Sequence, residues 1–293
     1  MRGLRRRILA RLASRRVAGW ALALPASLWL LFFFLVPVLV MAGYSLLHRG
    51  IYGGVEPGLT LEQYARFFDP LYLGILRRTI VVAIACTAIC LGLGYPVAYL
   101  IARSARWKHF LLFLVVLPFW TSFLVRTFAM IFLFRDTGLV NTLLLRLGVV
   151  DQPVTLLYTP FAVMAGLVYS FLPFMILPIY ATLERIDPSL LEAASGLGAR
   201  PAARFRRVTL PLSMPGVVAG CLLVFIPALG SFLPSDLLGG AKQMLIGNLI
   251  QNQFTSARNW PFGSAASMVV MAAVLLGVTA WLGRRDRTAL EPR

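Results

Sequence analysis

Residue types able to do chemistry are sparse in this chain, and the most informative group lies between Asp187 and Pro211, D-P-S-L-L-E-A-A-S-G-L-G-A-R-P-A-A-R-F-R-R-V-T-L-P. The chemistry these types suit is recognition rather than bond making. Asp187 ahead of Pro188 marks a helix start, because a carboxylate accepts from the free amides of a first turn and proline fits the first helical position. Gly196 and Gly198 supply a break, since glycine takes the left-handed geometry that ends a helix. Pro201 can open a second short helix carrying Arg204, Arg206 and Arg207, and Pro211 turns the chain back into apolar sequence. Two short helices in an elbow look like a docking device.

Covalent chemistry finds no such grouping. No phosphate-cradling Gly-x-x-x-x-Gly-Lys-Ser/Thr loop occurs; Gly239-Gly240-Ala241-Lys242 has the wrong spacing and no hydroxyl after the lysine. His48 and His109 stand far apart and make no metal pattern, and no His-Glu-x-x-His or nucleophile elbow is present. Cys86, Cys90 and Cys221 all fall in apolar blocks, where they read as small buried hydrophobes rather than a disulfide or zinc framework. Nearly every acidic residue is in a loop or tail, with Asp236 just past the end of an apolar block, so the intramembrane relay of a proton-coupled transporter is missing. Arg126 sits amid Trp120, Phe123, Phe128 and Met130. It either reaches headgroups or backbone carbonyls, or forms a polar element of a gate.

These residues must be positioned by an apolar frame. The chain has 293 residues, 59% of them hydrophobic and 13% charged, with a mean hydropathy of +0.80. No soluble globule hides that much apolar surface, so the class is an integral membrane protein. A bilayer core of about 30 Å takes about 20 helical residues. Six stretches qualify: about 19–47, 79–102, 109–134, 154–182, 211–234 and 264–283, giving an all-α polytopic protein with a transmembrane domain over 19–283. The first run is too long for a signal-peptide core and is read as a retained span.

The net charge of +17 invites a nucleic-acid reading, but Lys and Arg cluster at the ends of apolar blocks with no aromatic-interleaved groove, so the bilayer and not nucleic acid is the partner expected. With the basic N-terminus 1–18 inside, the connections 103–108, 183–210 and the tail 284–293 join it; that set holds nineteen Lys and Arg against eight on the other side. Both termini and the Asp187–Pro211 loop are therefore expected in the cytoplasm. The connection 48–78, with a turn at Tyr52-Gly53-Gly54 and an amphipathic piece over 61–68, is expected at the outer interface. Pro96, Pro118, Pro160, Pro173, Pro178, Pro215 and Pro227 punctuate the spans and are expected to free carbonyls there. Gly216 and Gly220 form a small-xxx-small pattern that suits close helix packing, either within the chain or against a partner subunit.

The elbow also carries a spaced motif: Glu192-Ala193-Ala194, three residues, Gly198, nine residues, then Val208-Thr209-Leu210-Pro211. This resembles the cytoplasmic loop of permease subunits of ATP-binding-cassette importers, with valine where the family pattern has isoleucine. Further stretches, Ala219–Gly230, Ser235–Lys242, Ile246–Asn248, Asn259–Gly263, Gly94–Tyr99 and Val125–Phe128, look like the permeases of spermidine/putrescine importers, and the likeness covers about residues 75–283. The resemblance implies a six-helix type I importer fold whose loop 187–211 seats in a groove of a cytoplasmic ATPase. Ala193 and Ala194 would allow close approach, Leu190, Leu191 and Leu197 an apolar face, Gly198 the turn, and Leu210 and Pro211 the return.

It further implies a bacterial inner-membrane protein working with a second permease, two ATP-binding subunits and an extracytoplasmic substrate-binding protein. This chain would bind no cofactor or metal and catalyse nothing; ATP and Mg would belong to the partner ATPase. For a polyamine cargo, ammonium groups favour carboxylates and ring faces, which singles out Asp236, Tyr169 and Trp120 with Arg126 as route residues. Ferric iron, thiamine, phosphonate or sulfate as cargo, a stand-alone secondary transporter and an assembly protein are the alternatives.

Overall fold

The computed structural model describes residues 2–240 and 243–290. Lys242 of the Ser235–Lys242 stretch and Glu291–Arg293 of the tail lie outside the described residues. In chain order the elements are α1 (Arg2–Ser45), β1 (His48–Arg49), β2 (Val55–Glu56), α2 (Glu62–Phe67), α3 (Pro70–Arg103), α4 (Lys108–Val116), α5 (Phe123–Phe134), α6 (Leu139–Arg146), α7 (Pro160–Glu184), α8 (Pro188–Gly196), α9 (Pro201–Arg204), α10 (Leu210–Gly230), α11 (Leu233–Gly239), α12 (Ile246–Phe254) and α13 (Trp260–Leu290). Among the described residues, six stretches are long and apolar enough to cross a membrane: Ala23–Ser45, Pro70–Arg103, Phe123–Arg146, Pro160–Glu184, Pro201–Gly230 and Trp260–Ala280.

Two compact units make up the chain. One comprises residues up to Phe67 together with those from Gln253 onward. In it α1 runs beside α13, and the two-stranded hairpin pairs His48 with Glu56 and Arg49 with Val55. Its turn uses Gly53 at φ +89°, a conformation L side chains avoid. The amphipathic piece of the sequence forms α2, which buries Gln63 and Phe67; the Tyr64 hydroxyl meets Ser45 Oγ at 2.8 Å, and Arg66 lies 5.0 Å above the Phe262 ring of α13.

The other unit, Phe68–Asn252, is built on α3, α7 and α10. α7 is its most enclosed element, with Leu167, Met175 and Ile179 wholly buried. Glycines set the spacing around it. A Cβ on Gly216 would lie 2.6 Å from the Pro178 carbonyl oxygen, and one on Gly220 would lie 2.8 Å from Met175 Sδ. The small-xxx-small pattern is therefore filled by this chain's own α7, and the intramolecular alternative accounts for it. Asn141 of α6 fastens the following loop by donating to the Arg135 and Val154 carbonyls and accepting from Val154 N.

Four expectations are corrected here. The stretch 109–134 is not one helix. α4 ends at Val116, a 3-10 turn spans Leu117–Trp120, and Thr121 and Ser122 are extended before α5 begins. Proline suits the start of a tight turn, and the Thr121 hydroxyl and amide both bond the Pro118 carbonyl, which closes it. Conversely, α7 stays helical through Pro173 and Pro178, and α10 through Pro215 and Pro227. Each of these prolines removes only its own amide, which leaves the carbonyl four residues earlier, at Tyr169, Phe174, Pro211 and Leu223, without that donor but does not interrupt the helix. α10 ends at Gly230, short of the expected 234, and Asp236, past the span's end as expected, belongs to a separate short helix, α11. Finally, Pro211 turns nothing: a helical path runs from Pro201 through a π-helical turn at Phe205–Thr209 into α10, with Arg206 and Arg207 in that turn rather than in a second short helix.

Candidate functional site

The loop between α7 and α10 is ordered by local chemistry at its leading end. Asp187 caps α8, its Oδ1 accepting from Ser189 N at 2.9 Å, with Pro188 next in the first turn. That backbone hydrogen bond, with the Ser189 hydroxyl second, holds the Asp187 carboxyl below its ordinary range. At the other end the amide of Gly198 bonds the Ser195 carbonyl and the amide of Ala199 bonds the Ala194 carbonyl. With Gly198 at φ +78°, this is a Schellman closure. Gly196, expected to share in the break, remains inside α8; Gly198 alone takes the left-handed turn.

No residue of α8 is buried. Glu192 and Ala193 are exposed, Leu191 and Ala194 are half-buried, and Leu190 and Leu197 are 47% and 90% exposed. A nine-residue helix capped at both ends, with leucines turned out, offers a rigid apolar face for helix-in-groove binding. Leu210 and Pro211 lie in the first turn of α10, Leu210 half-buried and Pro211 exposed, away from that face in sequence and in structure.

Contacts that the sequence did not disclose hold the trailing end. Arg204 Nη1 donates to Ser195 Oγ at 2.7 Å, tying α9 to α8. The Phe205 ring stands edge-to-face to both Tyr95 and Tyr99, each 5.8 Å away between centroids. Such pairs contribute about 0.5–1.5 kcal/mol each beyond their area. Tyr95 and Tyr99 are one helical turn apart on α3, so one ring fits between them. The hydroxyl hydrogen of Ser213 goes to the Leu210 carbonyl, which leaves Tyr95 to donate to Ser213 Oγ at 2.9 Å. The Arg103 guanidinium lies over the Tyr99 ring, 4.9 Å from its centroid. Only the i, i+4 tyrosine spacing within Gly94–Tyr99 was available as a signal. At the base of α7, Lys108 pairs with Glu184, and its ammonium stands 5.8 Å from the Tyr180 ring centroid. This links the start of α4 to the last residue of α7, three positions before the Asp187 cap.

The expected route residues are not assembled. Asp236 is exposed and accepts from Asn248 Nδ2 at 2.5 Å; Asn248 also donates to the Phe232 carbonyl and accepts from Leu245 N. The carboxylate thus helps fasten α11 to α12. Trp120 is 76% exposed and meets Phe113 edge-on, and Tyr169 is 40% exposed on α7. Arg126 is half-buried on α5, 5.7 Å from the Phe123 ring, with Nε and Nη1 buried and unbonded. These four residues share no hydrogen bond or ring contact with one another among the described residues. Nor does any group of three His, Cys, Asp or Glu among them have the arrangement of a metal site.

Residues 91–288 match the family described as "Binding-protein-dependent transport system inner membrane component". The spermidine/putrescine transport system permease protein PotB of Salmonella typhimurium (strain SL1344) is 46% identical over 252 residues, 85% of this chain and 88% of that protein. PotB of Escherichia coli (strain K12) is 45% identical over 252 residues, covering 85% and 92%. In fold, the chain resembles one in the crystal structure of a bacterial alginate ABC transporter bound to its alginate-loaded periplasmic protein, with TM-score 0.72, 20% identity, and 93% and 96% of the two chains covered. The chain belongs to the inner membrane components of binding-protein-dependent transport systems, a multi-pass permease with the fold of ABC importers.

Proposed function

We propose that this chain forms half of the translocation path of an ATP-driven importer of polyamines, spermidine or putrescine. The observation that carries the reading is α8, a doubly capped helix with no buried residue, lying in the loop that holds the spaced Glu192–Pro211 motif. A helix so well closed and yet so bare is built to be covered by another protein. The excess of Lys and Arg on the connections that include this loop supports a cytoplasmic location for it and for both termini. A cytoplasmic ATPase dimer is the partner suited to that side. ATP and Mg would be held there, and this chain would hydrolyse nothing. A second permease would complete the path, and an extracytoplasmic binding protein would deliver the cargo. The high identity of relatives named for spermidine and putrescine supports that cargo over the other small solutes.

The test is uptake of labelled spermidine by the assembled importer, run with and without ATP. Glu192→Ala and Gly198→Val are expected to insert normally while losing bound ATPase and uptake together. A valine at φ +78° cannot close the turn without strain of about 1–2 kcal/mol. Normal ATPase retention in both variants would refute docking at α8, and ATP-independent uptake would refute the importer class.

A further inference from the structure

Docking alone moves nothing; a force on α8 must reach the helices of the membrane. Arg204 makes α8 and α9 one body through Ser195 Oγ. Immediately after Arg204 comes Phe205, seated between Tyr95 and Tyr99 of α3, and Tyr95 is in turn bonded to Ser213 of α10. One aromatic ring therefore stands where the loop, α3 and α10 meet.

The backbone at this point is unusual. Leu210 N reaches back five residues to the Phe205 carbonyl, the hydrogen bond of a π turn, across Phe205–Thr209. An extra residue in the turn offsets the phase of α10 from that of α9 by about 100°. Thr209 registers the consequence. It is 3% exposed, and its Oγ1 has no partner. Elsewhere in the helices Thr79, Thr87, Thr127, Thr142, Thr182 and Thr279 each donate to the carbonyl four residues earlier. For Thr209 that carbonyl belongs to Phe205, which the π turn directs to Leu210 N rather than to the Thr209 amide and hydroxyl. Return to α register would release the Phe205 carbonyl to the Thr209 amide and hydroxyl, and would rotate Phe205 against its two tyrosines. Two hydrogen-bond arrangements thus compete for one carbonyl, as a two-state joint requires.

We propose that Phe205, keyed between Tyr95 and Tyr99, is the positioning residue that passes motion of the docked loop to α3 and α10, and that the Phe205–Thr209 π turn is the joint through which it does so. This rests on the docking reading above and adds the route by which docking acts.

The experiment compares the assembled importer in proteoliposomes carrying the native chain, Phe205→Ala or Phe205→Tyr. ATPase retention, basal hydrolysis and labelled spermidine taken up per ATP are measured. Phe205→Ala is expected to retain the ATPase and its basal hydrolysis while uptake per ATP falls on the order of tenfold, the usual size of a coupling between sites. Phe205→Tyr, which keeps the ring, is expected to restore most of it. Unchanged uptake per ATP in Phe205→Ala overturns the inference and leaves docking at α8 intact. Loss of the ATPase together with uptake also overturns it, because Phe205 would then belong to the docking seat. Should Phe205→Ala fail to assemble, Tyr99→Leu, which removes one wall of the slot, is read by the same three measurements, and normal uptake per ATP in it overturns the inference.

Discussion

The two ends of the loop between α7 and α10 are built on opposite principles. At the leading end every device of helix termination is in use: a carboxylate cap at Asp187, proline after it, and the paired bonds from Gly198 and Ala199. At the trailing end a π turn leaves a buried hydroxyl unbonded, and the following helix begins without a side-chain cap. The first region is closed by short-range bonds and shows its side chains to solvent. The second is open in its own hydrogen bonding and held by rings from another helix. In the coupling proposed above, the first region would serve as the stiff handle and the second as the joint that yields.

The largest effect should come from disturbing what lies just beyond the joint. Gly216→Leu places a side chain against the Pro178 carbonyl and Thr182 of α7, where no space exists. Overpacking of this kind costs about 1–3 kcal/mol, and more where backbone must shift. The expected outcome is loss of folded protein on size-exclusion chromatography in detergent, while substitutions on the exposed face of α8 leave the elution profile unchanged. If both sites behave alike, the contrast between a packed and a bare region fails.

Thr209→Val should act in the opposite direction. It removes a buried, unbonded hydroxyl at nearly constant shape, and relieving such a group is worth about 1–3 kcal/mol. Thermal unfolding in detergent is expected at a higher temperature than for the native chain, which is unusual for substitution of a buried polar residue. A lower melting temperature would mean that the hydroxyl has a partner and that the joint is not open.

The smallest effect is at the Asp187 cap. Its carboxyl is depressed below the ordinary range by the Ser189 bonds, so the cap is fully present above the carboxyl's unfolded-state value and is lost as pH falls through the lower, folded-state value. Protection of the Ser189 and Leu190 amides, taken relative to an unstructured chain at the same pH, is expected to fall in acid in the native chain. Asp187→Asn keeps an acceptor and should remove that pH dependence, and Asp187→Ala should lack the protection at every pH. Equal exchange in all three would remove the leading end's claim to be the stiffer one.

Much of this molecule was legible without coordinates because its signals are local. Twenty apolar residues in a row state their own environment, and Asp187-Pro188 states its own cap, since donor and acceptor lie two residues apart. The motif from Glu192 to Pro211 pointed to the family for the same reason: spacing survives on paper. Prolines were less readable. Pro118 breaks the third stretch, while Pro173, Pro178, Pro215 and Pro227 do not interrupt their helices. Whether a proline bends or ends its helix depends on the helices packed around it, and sequence alone does not display those. Asp236 shows a similar limit: its partner Asn248, twelve residues on, could not be read from the sequence.

By itself the sequence determined the class, the number of apolar stretches, the place of the capped helix α8 and the family. Each of these depends on residues within one or two turns of each other, or on composition summed over a span. Only the tertiary structure decided which helix fills the Gly216–Gly220 face, where Asp236 points its carboxylate, and that Phe205 lies between Tyr95 and Tyr99. Those are pairings across tens to more than a hundred positions, and no local pattern specifies which of several aromatic or small residues will meet once the helices pack.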